Sequence, residues 1–385
     1  MPRYNPLLEQ LSTYPQQALE EHKAKVRSRG QKLYDFGVGD PIEPIPDFIC
    51  QAIQAAVQPK SNYPTVAGSL DFRNAVVDYL ARRFEVAMTE SQVLPVSGSK
   101  EAVFHLPQLL IDPKADDNVV IFPDPGYPVC YRGTLFAGGE PVPVPLTGDY
   151  IFRPWLLDES LLQRCRLMWI NSPHNPSGAV MSKDDLQRTA DLCRKYDIVL
   201  VSDECYADMY RTEAPHSILE CGFENVLALH SLSKRSGMTG YRSGFIAGDQ
   251  KIIAQLRKYR ANPGLVPQSF VNKGAAVAWR EDDHVQERRE IFAQKKALFQ
   301  SFFEELGWSV LGLEASLYLW IKLPETMDAD ALAHHLLDQG IVVSPGRLFA
   351  LTNVADGYIR LAMVPSLEDC QEAISLWQKV LNEPF

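Results

Sequence analysis

Short apolar runs without polar alternation recur through the middle of the chain, at residues 118–122, 167–170, 198–201, 226–229 and 244–247. Strands covered on both faces read this way, because every side chain meets protein whichever way it points. Helical periodicity fills several of the intervals. At 182–195, Ser182 and Asp185 resemble a capping box, and Leu186, Ala190 and Cys193 supply an apolar stripe. Such strand–helix alternation predicts an α/β fold with a mainly parallel sheet. Beyond about residue 282 the pattern changes. A long charged helical stretch at 282–306 precedes an alternating, strand-like segment at 310–323, then helices at 329–339 and 367–381. The expected division is a large domain over residues 46–285 and a smaller α+β domain built from 1–45 and 286–385. No internal repeat or low-complexity tract is visible.

A chain of 385 residues, 46% hydrophobic and 22% charged, can bury a large core. Its net charge of −10 argues against a nucleic-acid or anionic-membrane surface, while leaving room for a local basic pocket. The seven cysteines are odd in number and show no CxxC spacing, so free thiols in a reducing compartment are expected. The opening Met-Pro-Arg-Tyr-Asn-Pro does not read as a signal peptide, and no run approaches the ~20 apolar residues of a membrane span. A cytoplasmic location is expected. The histidines form no HxxxH or HExxH pattern, and adjacent His334 and His335 would point different ways on a helix, so no metal site is expected.

The segment richest in chemistry is Ser231-Leu-Ser-Lys-Arg-Ser-Gly-Met-Thr-Gly-Tyr-Arg242, which follows one of the buried strands. A lysine such as Lys234 can form a Schiff base if burial or neighbouring cations keep its amine partly neutral. Ser231, Ser233 and Arg242 could coordinate a phosphate. Val96-Ser-Gly-Ser-Lys-Glu-Ala102 reads as a strand, a glycine turn and a helix start, a natural anion site. Pro107 should kink or shorten that helix. Asp203-Glu-Cys-Tyr206 lies at a strand's carboxyl end, where α/β sheets place their sites. In Tyr358-Ile-Arg-Leu-Ala362, a fixed Arg360 guanidinium suits a bidentate grip on a carboxylate.

Ser-x-Ser-Lys-x-x-Gly-Met-x-Gly-x-Arg, with lysine and arginine eight residues apart, resembles the cofactor-lysine signature of the class I/II aminotransferases. These are pyridoxal-phosphate enzymes of the aspartate aminotransferase fold, fold type I. Further segments match in family order: Phe36-Gly-Val-Gly39-Asp, Tyr63-Pro-Thr-Val-Ala-Gly68, Pro123-Asp-Pro-Gly-Tyr-Pro128, Asn171-Ser-Pro-His-Asn-Pro-Ser-Gly178, and Pro345-Gly346 with Phe349 nearby. The resemblance implies a mainly parallel seven-stranded sheet sandwiched by helices, plus the smaller α+β domain. It implies pyridoxal 5'-phosphate as cofactor, held by Lys234, which would also move the proton. Asp203 would pair with the ring nitrogen, keeping the ring an electron sink. Asn175 and Tyr206 would meet its phenolic oxygen, and Tyr127 would stack on the ring. Ser231, Ser233, Arg242 and the amides of Ser99 and Lys100 would hold the phosphate. Arg360 would grip the substrate carboxylate, with Asn175 and the backbone at Gly39 nearby. Tyr63 would reach the phosphate of a neighbouring subunit, which implies a homodimer. His174 is expected to be a spacer.

Asn5-Pro-Leu-Leu-Glu-Gln-Leu, Gly39-Asp-Pro, Glu314-Ala-Ser-Leu-Tyr-Leu-Trp320 and Gly357-Tyr-Ile-Arg-Leu-Ala362 are similar to the N-succinyldiaminopimelate aminotransferases of bacterial lysine biosynthesis. That likeness implies glutamate and 2-oxoglutarate as the amino couple. Arg260 and Asn262 are candidates for the distal end of the substrate. LL-diaminopimelate, alanine and aromatic aminotransferases remain open, as do carbon–sulfur β-lyases on the same fold. A cofactor-sensing regulator would attach a DNA-binding domain, whereas the family match starts within the first 40 residues of this acidic chain.

Overall fold

The structure is a computed structural model that describes residues 2–10 and 15–381. After the short β1 (Tyr34–Asp35), the strands β2 (Val93–Val96), β3 (Val119–Asp124), β4 (Glu140–Pro145), β5 (Cys165–Asn171), β6 (Val199–Asp203), β7 (Val226–Ser231) and β8 (Gly244–Gly248) build one sheet. Its order is β2-β8-β7-β6-β5-β3-β4. β8 runs antiparallel to both neighbours, and the remaining pairs are parallel.

The apolar runs alternate between two cores. Along β6, Leu200 packs into one hydrophobic cluster, while Val199 and Val201 pack into the other. Both faces are covered by protein, which is why no polar alternation marks these strands. β4 is a strand that the sequence pattern hides, because its Glu-Pro-Val-Pro-Val-Pro reads as a breaker. It sits at the sheet's edge beside β3 alone, where a proline's missing N–H costs no ladder bond on the outer side.

A second sheet is antiparallel, with β9 (Ser309–Leu311), β10 (Tyr318–Lys322), β12 (Ser344–Pro345) and β13 (Tyr358–Ala362) in the order β12-β13-β10-β9. β11 (Ile341–Val342) instead pairs in parallel with β1. The segment expected as one strand at 310–323 is therefore a hairpin. Gly312 and Ser316, with φ of +88° and +63°, turn the chain between its two arms. Helices Asp283–Glu305, Ala329–Asp338 and Leu367–Leu381 lie where periodicity predicts them. The first crosses residue 285, where the division between large and small units was expected. Pro107 falls in the last turn of the helix Ser99–Leu110, and the Ile111 N–H caps its carbonyl at 2.9 Å. Among the described residues no helix is long and apolar enough to cross a membrane.

Candidate active site

Parallel strands end on one edge of their sheet, and that edge collects the segments with chemistry. β2 leads to Gly98 and Ser99, β3 to Tyr127, β5 to Asn175, β6 to Asp203 and Tyr206, and β7 to Lys234. Arg242 lies just before β8. Because that strand is antiparallel to β7, its beginning falls on the same edge. A cleft of about 1250 Å³ is lined by Gly39, Ser99, Lys100, Tyr127, Asn175, Asp203, Tyr206, Ser231, Ser233, Lys234, Arg242 and Arg360. These are all the expected site residues except Tyr63 and the two distal candidates, Arg260 and Asn262.

One end of the cleft is built for an anion. Gly98 takes φ +78° at the start of the helix Ser99–Leu110. A Cβ there would come within 2.3 Å of Arg242 Nη2, so glycine lets the guanidinium lie against the helix start. Arg242 Nη1 donates to the Thr239 carbonyl at 2.9 Å. Ser231 Oγ donates to Ser233 Oγ at 3.0 Å and accepts from the Ser233 N–H at 3.2 Å. Helical N–H groups, two hydroxyls and a guanidinium form a set suited to a phosphate.

Farther in, Asp203 ends β6. Burial raises its pKa above the ordinary carboxylate value, although the Cys205 N–H at 3.2 Å and His230 behind it act the other way. His230 is itself paired with buried Glu204 at 3.0 Å. A desolvated carboxyl of this kind gains from a cationic N–H partner. Asn171 Nδ2 donates to the Asp203 carbonyl at 2.7 Å, and its Oδ1 accepts from the Asn175 N–H at 2.6 Å, tying the two strand ends together. The Lys234 ammonium touches the Gly39 carbonyl.

Arg360 reaches the cleft from β13. Its Nη1 donates to Asn175 Oδ1 at 3.0 Å and its Nη2 to the Gly37 carbonyl at 2.9 Å. The rings of Tyr318 and Phe349 flank the guanidinium, each centroid 4.1 Å away. Its buried Nε has no hydrogen-bond partner, an orphaned donor that a bound carboxylate would satisfy. Anion cup, desolvated carboxyl, amine and carboxylate clamp in one cleft fit pyridoxal 5'-phosphate together with an amino acid.

Some expectations are corrected. Arg260 does not line the cleft. It is buried, paired with Glu101 at 2.6 Å and donating to the Pro95 and Leu265 carbonyls at 2.9 Å, so it braces the strand–turn–helix around Gly98. Asn262 is exposed and donates to the Lys258 and Tyr259 carbonyls, each at 3.1 Å. Neither lines the cleft of its own chain. Tyr63 is fully exposed, at 101% of its reference area, and outside the cleft of its own chain. His174 is more than a spacer: it bridges Ser177 and the Pro125 carbonyl at 2.8 and 3.0 Å. Tyr318 also lines the cleft, and local spacing gives no sign of it, because its meeting with Arg360 depends on strand pairing.

Comparison with known proteins agrees with this geometry. The family model "Aminotransferase class I and II" matches residues 31–376. The chain is 33% identical over 365 residues to the LL-diaminopimelate aminotransferase of Aquifex aeolicus, covering 92% of this chain and 93% of that protein. Substrate-bound BacF of Bacillus subtilis superposes with a TM-score of 0.93 at 26% identity, covering 100% of this chain and 99% of the other. A probable N-succinyldiaminopimelate aminotransferase of Thermus thermophilus superposes with a TM-score of 0.88 at 25% identity, covering 94% and 99%. The chain belongs to the class I and II aminotransferases, pyridoxal-phosphate-dependent transaminases of fold type I.

Proposed function

We propose that this aminotransferase acts on a diaminopimelate-type substrate, with glutamate and 2-oxoglutarate as the other amino couple. The relatives carry the substrate reading: LL-diaminopimelate aminotransferases at 33% and 34% identity each match 92% of the chain. They favour LL-diaminopimelate itself over the N-succinyl form expected from the sequence. The Thermus neighbour supports the succinylated form as the second reading.

The reacting end rests on Arg360, whose orphaned Nε and aromatic walls suit an α-carboxylate. Ser231, Ser233, Arg242 and the amides of Ser99 and Lys100 would hold the cofactor's phosphate. Tyr127 would lie against its ring, and Asp203 would partner its ring nitrogen. Asn175 spends Oδ1 on Arg360, so its NH₂ is left to donate beside Tyr206. When bound, pyridoxal 5'-phosphate withdraws electrons from the substrate's Cα and stores the amino group between half-reactions. Lys234 Nζ would anchor it and then take the proton from Cα. Gly39 and Arg360 would fix the substrate so that this proton faces Lys234. The proposed division, 46–285 against 1–45 with 286–385, would put the cofactor groups on one unit and Gly39 and Arg360 on the other. The exposed Tyr63 suits a contact with a second subunit's phosphate in a homodimer.

The test is the absorbance of the purified, cofactor-loaded protein, titrated with glutamate and then with keto acids. Glutamate should exchange the cofactor's aldehyde band for its amine band, and 2-oxoglutarate should restore it. LL-diaminopimelate should drive the same exchange better than its N-succinyl derivative. A Lys234→Ala protein that behaves like the wild type would sink the central assignment. Steady ammonia release from cystathionine, without lasting band exchange, would favour a lyase.

A further inference from the structure

Tyr318 stands where three groups of the proposed reaction meet. In the antiparallel register of β10 and β13, Tyr318 pairs with Ala362 and Trp320 with Arg360. Tyr318 and Arg360 are therefore diagonal neighbours on one face of the sheet. The guanidinium lies 4.1 Å from the tyrosine's ring centroid, well inside cation–π range. The other end of the side chain reaches toward Lys234's surroundings. Its hydroxyl lies 3.1 Å from that of Tyr206. A Cβ on Gly39 would fall 2.3 Å from the same hydroxyl, so glycine at 39 is what admits it. The side chain is buried, and so is that of Tyr206.

We infer that Tyr318 is a positioning residue with two jobs: its ring holds the Arg360 guanidinium flat, and its hydroxyl donates to Tyr206. Donation in that direction leaves the proton of Tyr206 to point into the cleft, toward the cofactor's phenolic oxygen. The inference rests on the proposed roles of Arg360 and Tyr206. Electrostatics favour this direction. Burial, reinforced by Tyr318, pushes the pKa of Tyr206 well above its ordinary value. Burial also works to raise Tyr318, but the Arg360 cation against its ring and the Lys234 cation, with the Tyr206 contact adding to them, outweigh it and bring its pKa below the ordinary value. Tyr318 is the more acidic phenol and so the better donor of the pair.

Two substitutions separate the hydroxyl from the ring. Tyr318→Phe keeps the ring alone, and Tyr318→Met keeps neither. The wild-type protein is first loaded with pyridoxal 5'-phosphate and its Lys234-dependent band is titrated with pH. A wild-type protein without such a band overturns the proposed function, which is a separate failure. With the band in hand, both variants should show a titration midpoint shifted upward, because a weakened Tyr206 donor stabilises the phenolate less. The KM for the amino donor should stay within about twofold in Tyr318→Phe and rise about tenfold in Tyr318→Met. An unmoved midpoint in Tyr318→Phe overturns the inference. So does an equal rise of KM in both variants, the pattern of a merely structural residue. If Tyr318→Met does not fold, the split between midpoint and KM in Tyr318→Phe still decides.

Discussion

His174 illustrates how one side chain can couple two parts of the site. The Pro125 carbonyl can only accept, so His174 Nε2 carries the proton and Nδ1 accepts from the Ser177 hydroxyl. The ring thereby ties the turn bearing Asn175 to the loop bearing Tyr127. Burial lowers its pKa from 6.5 to about 4, with the Pro125 contact opposing. The folded protein binds the proton less readily than the unfolded chain does. Its contribution is therefore present above about pH 6.5 and is lost as pH falls toward 4, on the order of 3 kcal/mol in all. Thermal midpoints measured from pH 7 to 4 should fall less steeply in His174→Gln than in the wild type. Parallel curves would remove His174 from the acid response. At this scale most of the site could be read from sequence, since Ser99, Asn175, Asp203 and Lys234 each sit at or just beyond a strand's end, in short segments that their own neighbours dictate. The bridging role of His174 could not, because its partner Pro125 lies on another loop.

Among the elements, the β9–β10 hairpin decides where Tyr318 stands. Its connection is held from below by Lys296, buried in the helix Asp283–Glu305. Nζ donates to the Gly312, Ala315 and Ser316 carbonyls at 2.6, 2.9 and 2.6 Å. From above, the connection packs on the Asn175 turn, where a Cβ at Gly178 would come 2.5 Å from Gly312 Cα. Lys296→Met should strand three carbonyls that the ammonium now satisfies. A loss of roughly 2–4 kcal/mol in urea unfolding is expected, with faster amide exchange across 312–318. Unchanged stability would mean that water replaces the ammonium. An alternating pattern announced strand here, but not the reversal inside it, because the turn depends on Gly312 and on a lysine distant in sequence. The proline-rich β4 was hidden for the converse reason, since edge position and not composition permits it.

At the scale of the molecule, the cleft is assembled from the carboxyl edge of one sheet and from Gly39, Tyr318 and Arg360 of segments far along the chain. The exposed Tyr63 leads to a test of assembly. Lys234→Ala and Tyr63→Ala subunits are unfolded together and refolded as a mixture. If Tyr63 serves the neighbouring subunit, hybrid dimers contain one intact site and the mixture regains activity that neither parent has. If Tyr63 serves its own subunit, no site is intact and the mixture stays inactive. The sequence by itself determined the strand–helix alternation, the fold class and the motifs at strand ends, because apolar periodicity and turn chemistry act over a few residues. Tertiary structure alone decided that Arg260 braces the Gly98 turn through Glu101 and stays out of the cleft. It also decided that Tyr318 joins Arg360, Gly39 and Tyr206, because strand register and loop contacts set which residues distant in sequence come within bonding range.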